Sequence, residues 1–114
     1  MVRIEIVTSL VKEIKEKFNK QEANNIIDLI ESVHEQPKKG KPLGAIGGIL
    51  IKELKYKIFR IYFLVEGHKI KFYTEKELVN TLMHFVRRAH KKHQQKIIQE
   101  IKEILITIGP EGFT

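Results

Sequence analysis

Cysteine is absent from this 114-residue chain. Without thiols there can be no disulfide scaffold, no thiolate nucleophile and no Cys-ligated zinc or iron–sulfur site, and a reducing cytoplasm fits such a composition. Long apolar runs are missing as well: none approaches the roughly 18 residues of a membrane-spanning helix. Met1-Val2-Arg3-Ile4-Glu5-Ile6 is too charged and too short for a secretory signal. The expectation is a soluble, unexported protein with no membrane partner. Acidic side chains are scarce, 14 Asp plus Glu against 21 Lys plus Arg, which leaves a formal charge of +7. That balance disfavours cationic ligands and points to a polyanion, although the same excess can simply keep a protein soluble.

What is present suits one compact body. At 42% hydrophobic residues the chain can bury a single core and has no room for a second, so residues 1–114 are read as one domain. Its charge is uneven. Residues 1–50 hold 8 basic and 7 acidic side chains, whereas residues 51–114 hold 13 and 7. The anion-facing surface is therefore expected in the second part, and the one biased tract is the basic run at residues 84–96.

Val2–Val7 opens with the apolar/polar alternation of a half-buried strand, and Thr8-Ser9 then offers a helix cap. Leu10, Val11, Ile14 and Phe18 recur at helical spacing. After a break at Asn19, Ala23, Ile26, Ile27, Ile30 and Val33 form a second stripe that must stop before Pro37. These two helices are expected to pair. Gln36–Gly48, rich in Gly and Pro, reads as a loop. Its glycines run into Ile49-Leu50-Ile51 rather than into a Lys-Ser/Thr pair opening a helix, which argues against a phosphate-binding loop.

Residues 49–73 read as two or three antiparallel strands interrupted at Tyr56-Lys57 and Glu66-Gly67-His68. Within them Phe59, Ile61, Phe63 and Val65 share one face, read as core, while Arg60 and Tyr62 share the other with Ile58 and Leu64. That mixed second face suits a partly open surface. Leu78–Val86 reads as a further strand, with a short helix over Glu75–Leu82 as the alternative. Ile97, Ile98, Ile101, Ile104, Leu105 and Ile108 predict a closing helix that ends at Gly109-Pro110.

Basic residues gather on and just beyond the expected strands: Lys52, Lys55, Lys57, Arg60, Lys69, Lys71, Arg87, Arg88, Lys91, Lys92 and Lys96. With Tyr62, His84, His90 and His93 they supply phosphate-neutralising cations, aromatic surface and groups able to move protons near pH 7. Such a set could bind RNA or, without metal, cut it. His90 and His93 lack the further ligands that a metal would need. The scattered carboxylates do not suggest a two-acid hydrolase, and no Ser nucleophile with a base stands out.

The order of motifs resembles the RelE/HigB superfamily of toxins from toxin–antitoxin pairs, particularly its phage-derived HigB-like branch, over roughly residues 2–105. Gly40-Lys41-Pro42-Leu43-Gly44 leading to Lys52-Glu53-Leu54-Lys55 is similar to the family's K-P-L-G and E-L-R strand. Phe59-Arg60-Ile61-Tyr62-Phe63-Leu64-Val65 is similar to Y-R-I-Y-F-L-V, and Leu82-Met83-His84-Phe85-Val86-Arg87-Arg88 to L-L-H-G-F-V-K-K. Relative to that pattern the chain carries extra residues near Lys71–Thr81. The resemblance implies an α+β, RelE-like β-α-α-β-β-β-α fold, a small antiparallel sheet packed on helices. It also implies a cytoplasmic toxin that inhibits translation as a ribosome-dependent, metal-independent mRNA endoribonuclease, needs no cofactor and is held silent by an acidic antitoxin. In that picture Lys55 and Arg60 hold the scissile phosphate, and His84 or Arg88 transfers protons or neutralises charge. Lys52, Lys57, Tyr62, Arg87, His90, Lys91 and Lys92 would bind RNA. The alternatives are a related inhibitor of DNA gyrase and a noncatalytic basic module that only binds nucleic acid.

Overall fold

The computed structural model describes residues 3–36 and 38–108. In chain order it consists of β1 (Arg3–Ile6), α1 (Thr8–Lys17), α2 (Lys20–Glu31), a 3-10 turn (Ser32–His34), β2 (Lys41–Ile46), β3 (Ile49–Tyr56), β4 (Phe59–Glu66), β5 (Lys69–Tyr73), α3 (Glu75–Arg88) and α4 (Lys91–Ile108). The fold is α+β, with one mixed sheet ordered β1-β5-β4-β3-β2. The α1–α2 hairpin carries the chain from one edge of the sheet to the other, and the strands then meander back until β5 lies parallel to β1. The expected small antiparallel sheet is thus a five-stranded mixed one, and the β-α-α-β-β-β-α order gains a strand and a helix.

Both faces of the sheet are covered. Leu10, Ile14, Ile26 and Ile30 of α1 and α2 pack with Leu54, Ile61, Phe63, Ile70 and Phe72 on one side. Leu78 and Leu82 of α3 and Ile101, Ile104 and Ile108 of α4 pack with Ile46, Ile51, Tyr62, Leu64 and Tyr73 on the other. A strand buried on both sides reads as a continuous apolar run rather than an alternating one, and Ile61, Tyr62, Phe63 and Leu64 are accordingly all buried. The reading of the Arg60/Tyr62 face as partly open is therefore corrected: α3 and α4 fold back over it.

Three boundaries differ from the sequence expectation for local reasons. Leu78–Val86 is helical, because Thr74 caps α3 by accepting from the Glu77 backbone N–H at 3.0 Å, a capping-box pattern, and Leu78 and Leu82 then bury one face. The extra residues near 71–81 form the end of β5 and the start of this helix. Part of the Gln36–Gly48 loop is edge strand β2, where Pro42 is tolerated and a bulge separates it from Gly44. A Cβ at Gly44 would lie 2.7 Å from Ile104 Cγ1, so α4 rests directly on β2. At the start of α1 the cap is Val7, with no side-chain bond, rather than Thr8 or Ser9.

Other boundaries agree. Asn19 separates the first two helices and accepts the Glu22 N–H at 2.8 Å. The turns between β3 and β4 and between β4 and β5 fall at the expected interruptions. The closing helix begins earlier than its apolar stripe, at Lys91. Met1, Val2, Pro37 and the Gly109-Pro110 stop lie outside the described residues.

Candidate nucleic-acid interface

The sequence-selected residues fall into two zones at opposite ends of α3 and α4. The first lies where β3 ends and β4 begins. Lys55 and Arg60 are register partners on the α3–α4 side of the sheet, and the next row along is Glu53, Tyr62 and Tyr73. Arg60 is half-buried and its Nη1 donates to the Ile108 carbonyl at 3.5 Å, so it caps the last turn of α4. Tyr62 is fully buried, and its hydroxyl has no hydrogen-bond partner among the described residues. Burial, reinforced by the negative charges of Glu75 and Glu53, pushes its pKa up to about 12, while Arg60 pulls the other way. Glu75, at the start of α3, is likewise raised by burial, with Arg60 opposing and Glu13 adding to the rise.

Glu53, Tyr73 and Glu75 were not selected from the sequence. The pattern Thr74-x-x-Glu77 carries the signal for a first helical turn that contains Glu75; that this turn lies beside Arg60 is a tertiary fact.

The second zone is the elbow between α3 and α4. His84, Arg87 and Arg88 are exposed on the last turns of α3, His90 sits in the two-residue junction, and Lys91 and Lys92 open α4. Residues three and four apart share a helix face, so His84 stands with Arg87 and Arg88. Next to them His93 lies edge-on to His90, with ring centroids 6.3 Å apart. His90 Nδ1 accepts the Lys92 backbone N–H at 3.3 Å. Between Glu77 and Glu100 the sequence contains no Asp or Glu, but it contains Arg87, Arg88, Lys91, Lys92 and Lys96. Those five cations account for most of the +7. Because α4 begins with Lys91 and Lys92 and has no acid in its first turn, its own positive end adds to the field rather than being offset.

The two zones do not meet. Glu75 is beside Arg60, and with a rise of 1.5 Å per residue His84 lies about 13 Å and Arg88 about 20 Å further along α3. The four residues expected to share one phosphate are thus divided, Lys55 and Arg60 at one end and His84 and Arg88 at the other. Two further RNA-binding candidates are removed from any surface of this kind. Tyr62 offers no stacking face because it is sealed beneath α3 and α4. Lys52 is 4% exposed on the opposite side of the sheet, 5.8 Å from the Phe63 ring centroid, and burial lowers its pKa.

Lys57 is exposed at the β3–β4 turn with φ +56 and pairs with Glu22 at 2.8 Å. That ion pair lowers the Glu22 pKa and raises that of Lys57.

Among the described residues no group of three or more His, Asp or Glu side chains is placed to hold a metal, and no helix is long and apolar enough to cross a membrane. Fold and surface together define a small α+β protein with a basic helical elbow. No protein-family model, curated protein or solved structure matches the chain.

Proposed function

We propose that this protein is a toxin of the RelE/HigB kind, a metal-independent endoribonuclease that cuts ribosome-bound mRNA, with the α3–α4 elbow as its RNA-holding surface. One observation carries the reading: His84, Arg87, Arg88, His90, Lys91 and Lys92 are brought onto one exposed elbow within a stretch that contains no acid. Cleavage through the 2′-OH needs a proton carrier beside the reacting oxygen and a cation beside the phosphorane. His84 with Arg88 one turn further on supplies both types of group on one helix face. The same surface would be silenced by an acidic antitoxin segment, since opposite charge is what it selects.

The test is primer extension on ribosome-bound mRNA in the presence of EDTA. Wild type should cut, and His84→Ala and Arg88→Ala should each slow cutting by about 10²–10⁴-fold, the range for a lost proton carrier or charge stabiliser. Arg60→Ala should have a smaller effect, as it lies at the far end of α3. If wild type leaves the mRNA intact but still binds RNA, the enzyme reading fails. The noncatalytic basic module then takes its place, a reading favoured by the separation of Lys55 and Arg60 from the imidazoles. Inhibition of gyrase supercoiling by a protein that leaves mRNA whole would select the third alternative.

A further inference from the structure

We infer that the elbow holds RNA by its phosphate backbone and is indifferent to base identity and strandedness; this deepens the reading of the elbow as the RNA-holding surface and rests on it. Recognition of single-stranded bases uses exposed ring faces. Among the described residues the large apolar side chains that stand exposed are Leu50, Ile58, Met83 and Ile106, none of them aromatic. Tyr62 and Tyr73 are buried, and Phe85, on the last turns of α3, packs partly buried against the core. The imidazoles of His90 and His93 are turned edge-on to each other at an interplanar angle of 61°, rather than spaced in parallel to admit a base.

Of the side-chain amides at the elbow, which could read adenine edges, Gln95 is exposed and Gln94 is already committed. Its Nε2 donates to the Val86 and Ala89 carbonyls, both at 3.4 Å, and ties the end of α3 to α4. What the elbow does offer is positive charge: Arg87, Arg88, Lys91 and Lys92 are exposed, with no acid in the sequence between Glu77 and Glu100. Donors of that kind match phosphate oxygens, which every sequence and both RNA and DNA duplexes share. Any preference for a position on mRNA would then come from the ribosome that presents it, not from this chain.

The experiment is fluorescence anisotropy with four labelled ligands of equal length, oligo-U, oligo-A, an RNA duplex and a DNA duplex, titrated with the full chain between 50 and 200 mM salt. The two single strands should bind within about threefold of each other, and the duplexes at least as tightly, because their charge density is higher. The double variant Lys91→Ala/Lys92→Ala should weaken all four together and reduce the salt slope on the single strands by about 1.4, or about 0.7 for each phosphate no longer neutralised. Gln95→Ala should leave the ranking of ligands unchanged. A tenfold preference for one base composition, for single strands, or for RNA duplex over DNA duplex would overturn the inference, as would an unaltered slope in the double variant. These readouts are independent of cutting: base-indifferent binding without cleavage sinks the proposed enzyme and leaves this inference standing, whereas cleavage with base-selective binding does the opposite.

Discussion

The two ends of the α3–α4 face handle charge in different ways. At the Arg60 end, Arg60 is drawn partly inside the protein among carboxylates, on the Ile108 carbonyl and next to Tyr62 and Glu75, while its register partner Lys55 stays exposed. At the elbow, cations stand in solvent without acids among them. Partly buried charge that is locally compensated contributes to the fold and offers little to a partner. Exposed charge that is uncompensated costs the fold some stability and is available for binding. Cations of the same two residue types are therefore assigned different roles by their surroundings.

The largest effect that would sharpen this contrast is the alkaline behaviour of Tyr62. Its pKa, about 12 in the folded chain against an ordinary value of 10.0, means that the folded state retains the phenolic proton over a range where the unfolded chain has lost it. The resulting stability is fully present below about pH 10 and disappears as pH rises towards 12, amounting to about 2–3 kcal/mol at roughly 1.4 kcal/mol per pH unit. Urea titrations of wild type and Tyr62→Phe at pH 8 and pH 11.5 should therefore diverge, with the phenylalanine variant losing less. At pH 8 that variant should be as stable as wild type or slightly more so, since the hydroxyl it removes has no hydrogen-bond partner among the described residues. Equal alkaline losses in the two proteins would break the picture of a sealed Arg60 end.

Arg60→Ala comes next. It removes the bond to the α4 carbonyl and the positive charge that opposes the raised pKa values of Tyr62 and Glu75. A loss of about 1.5 kcal/mol in urea unfolding is expected, from the lower part of the range for charged hydrogen bonds because the bond is long. RNA affinity should hardly change. A variant with wild-type stability and no RNA binding would reverse the roles of the two ends.

The smallest effect carries the opposite sign. Lys91→Glu replaces a cation by an anion at the positive end of α4, which should raise stability by about 0.3–1 kcal/mol while RNA affinity falls. Thermal unfolding and a binding titration on one sample check both halves. A parallel fall in stability and affinity would mean that Lys91 belongs to the fold after all.

Much of the frame was legible along the chain because its causes are local. Asn19 stops one helix and caps the next, the turns at Lys57-Ile58 and Gly67-His68 fall between dense apolar runs, and the Ile stripe of α4 keeps a helical period. The segment after Tyr73 reads as a strand because Met83 and Phe85 alternate with His84 and Arg88, yet Leu78 and Leu82 obey the helical period. The Thr74 cap and the core beneath the two leucines decide for the helix. Of the site residues, the basic tract at 84–96 was recognisable by composition. Nothing local could show that Lys55 and Arg60 lie a helix length away from it.

The sequence by itself determined the number and sign of the charges, the acid-free stretch that becomes the elbow, and most of the apolar periodicities, since these depend only on residue type and spacing. Tertiary structure alone decided which charges are available. It folded α3 and α4 back over the sheet, and that non-local packing sealed Tyr62, drew Arg60 onto the end of α4 and left Arg87, Arg88, Lys91 and Lys92 in water. Burial is a property of what comes to lie over a residue, and the helices that cover the Arg60 face follow it in the chain by many residues.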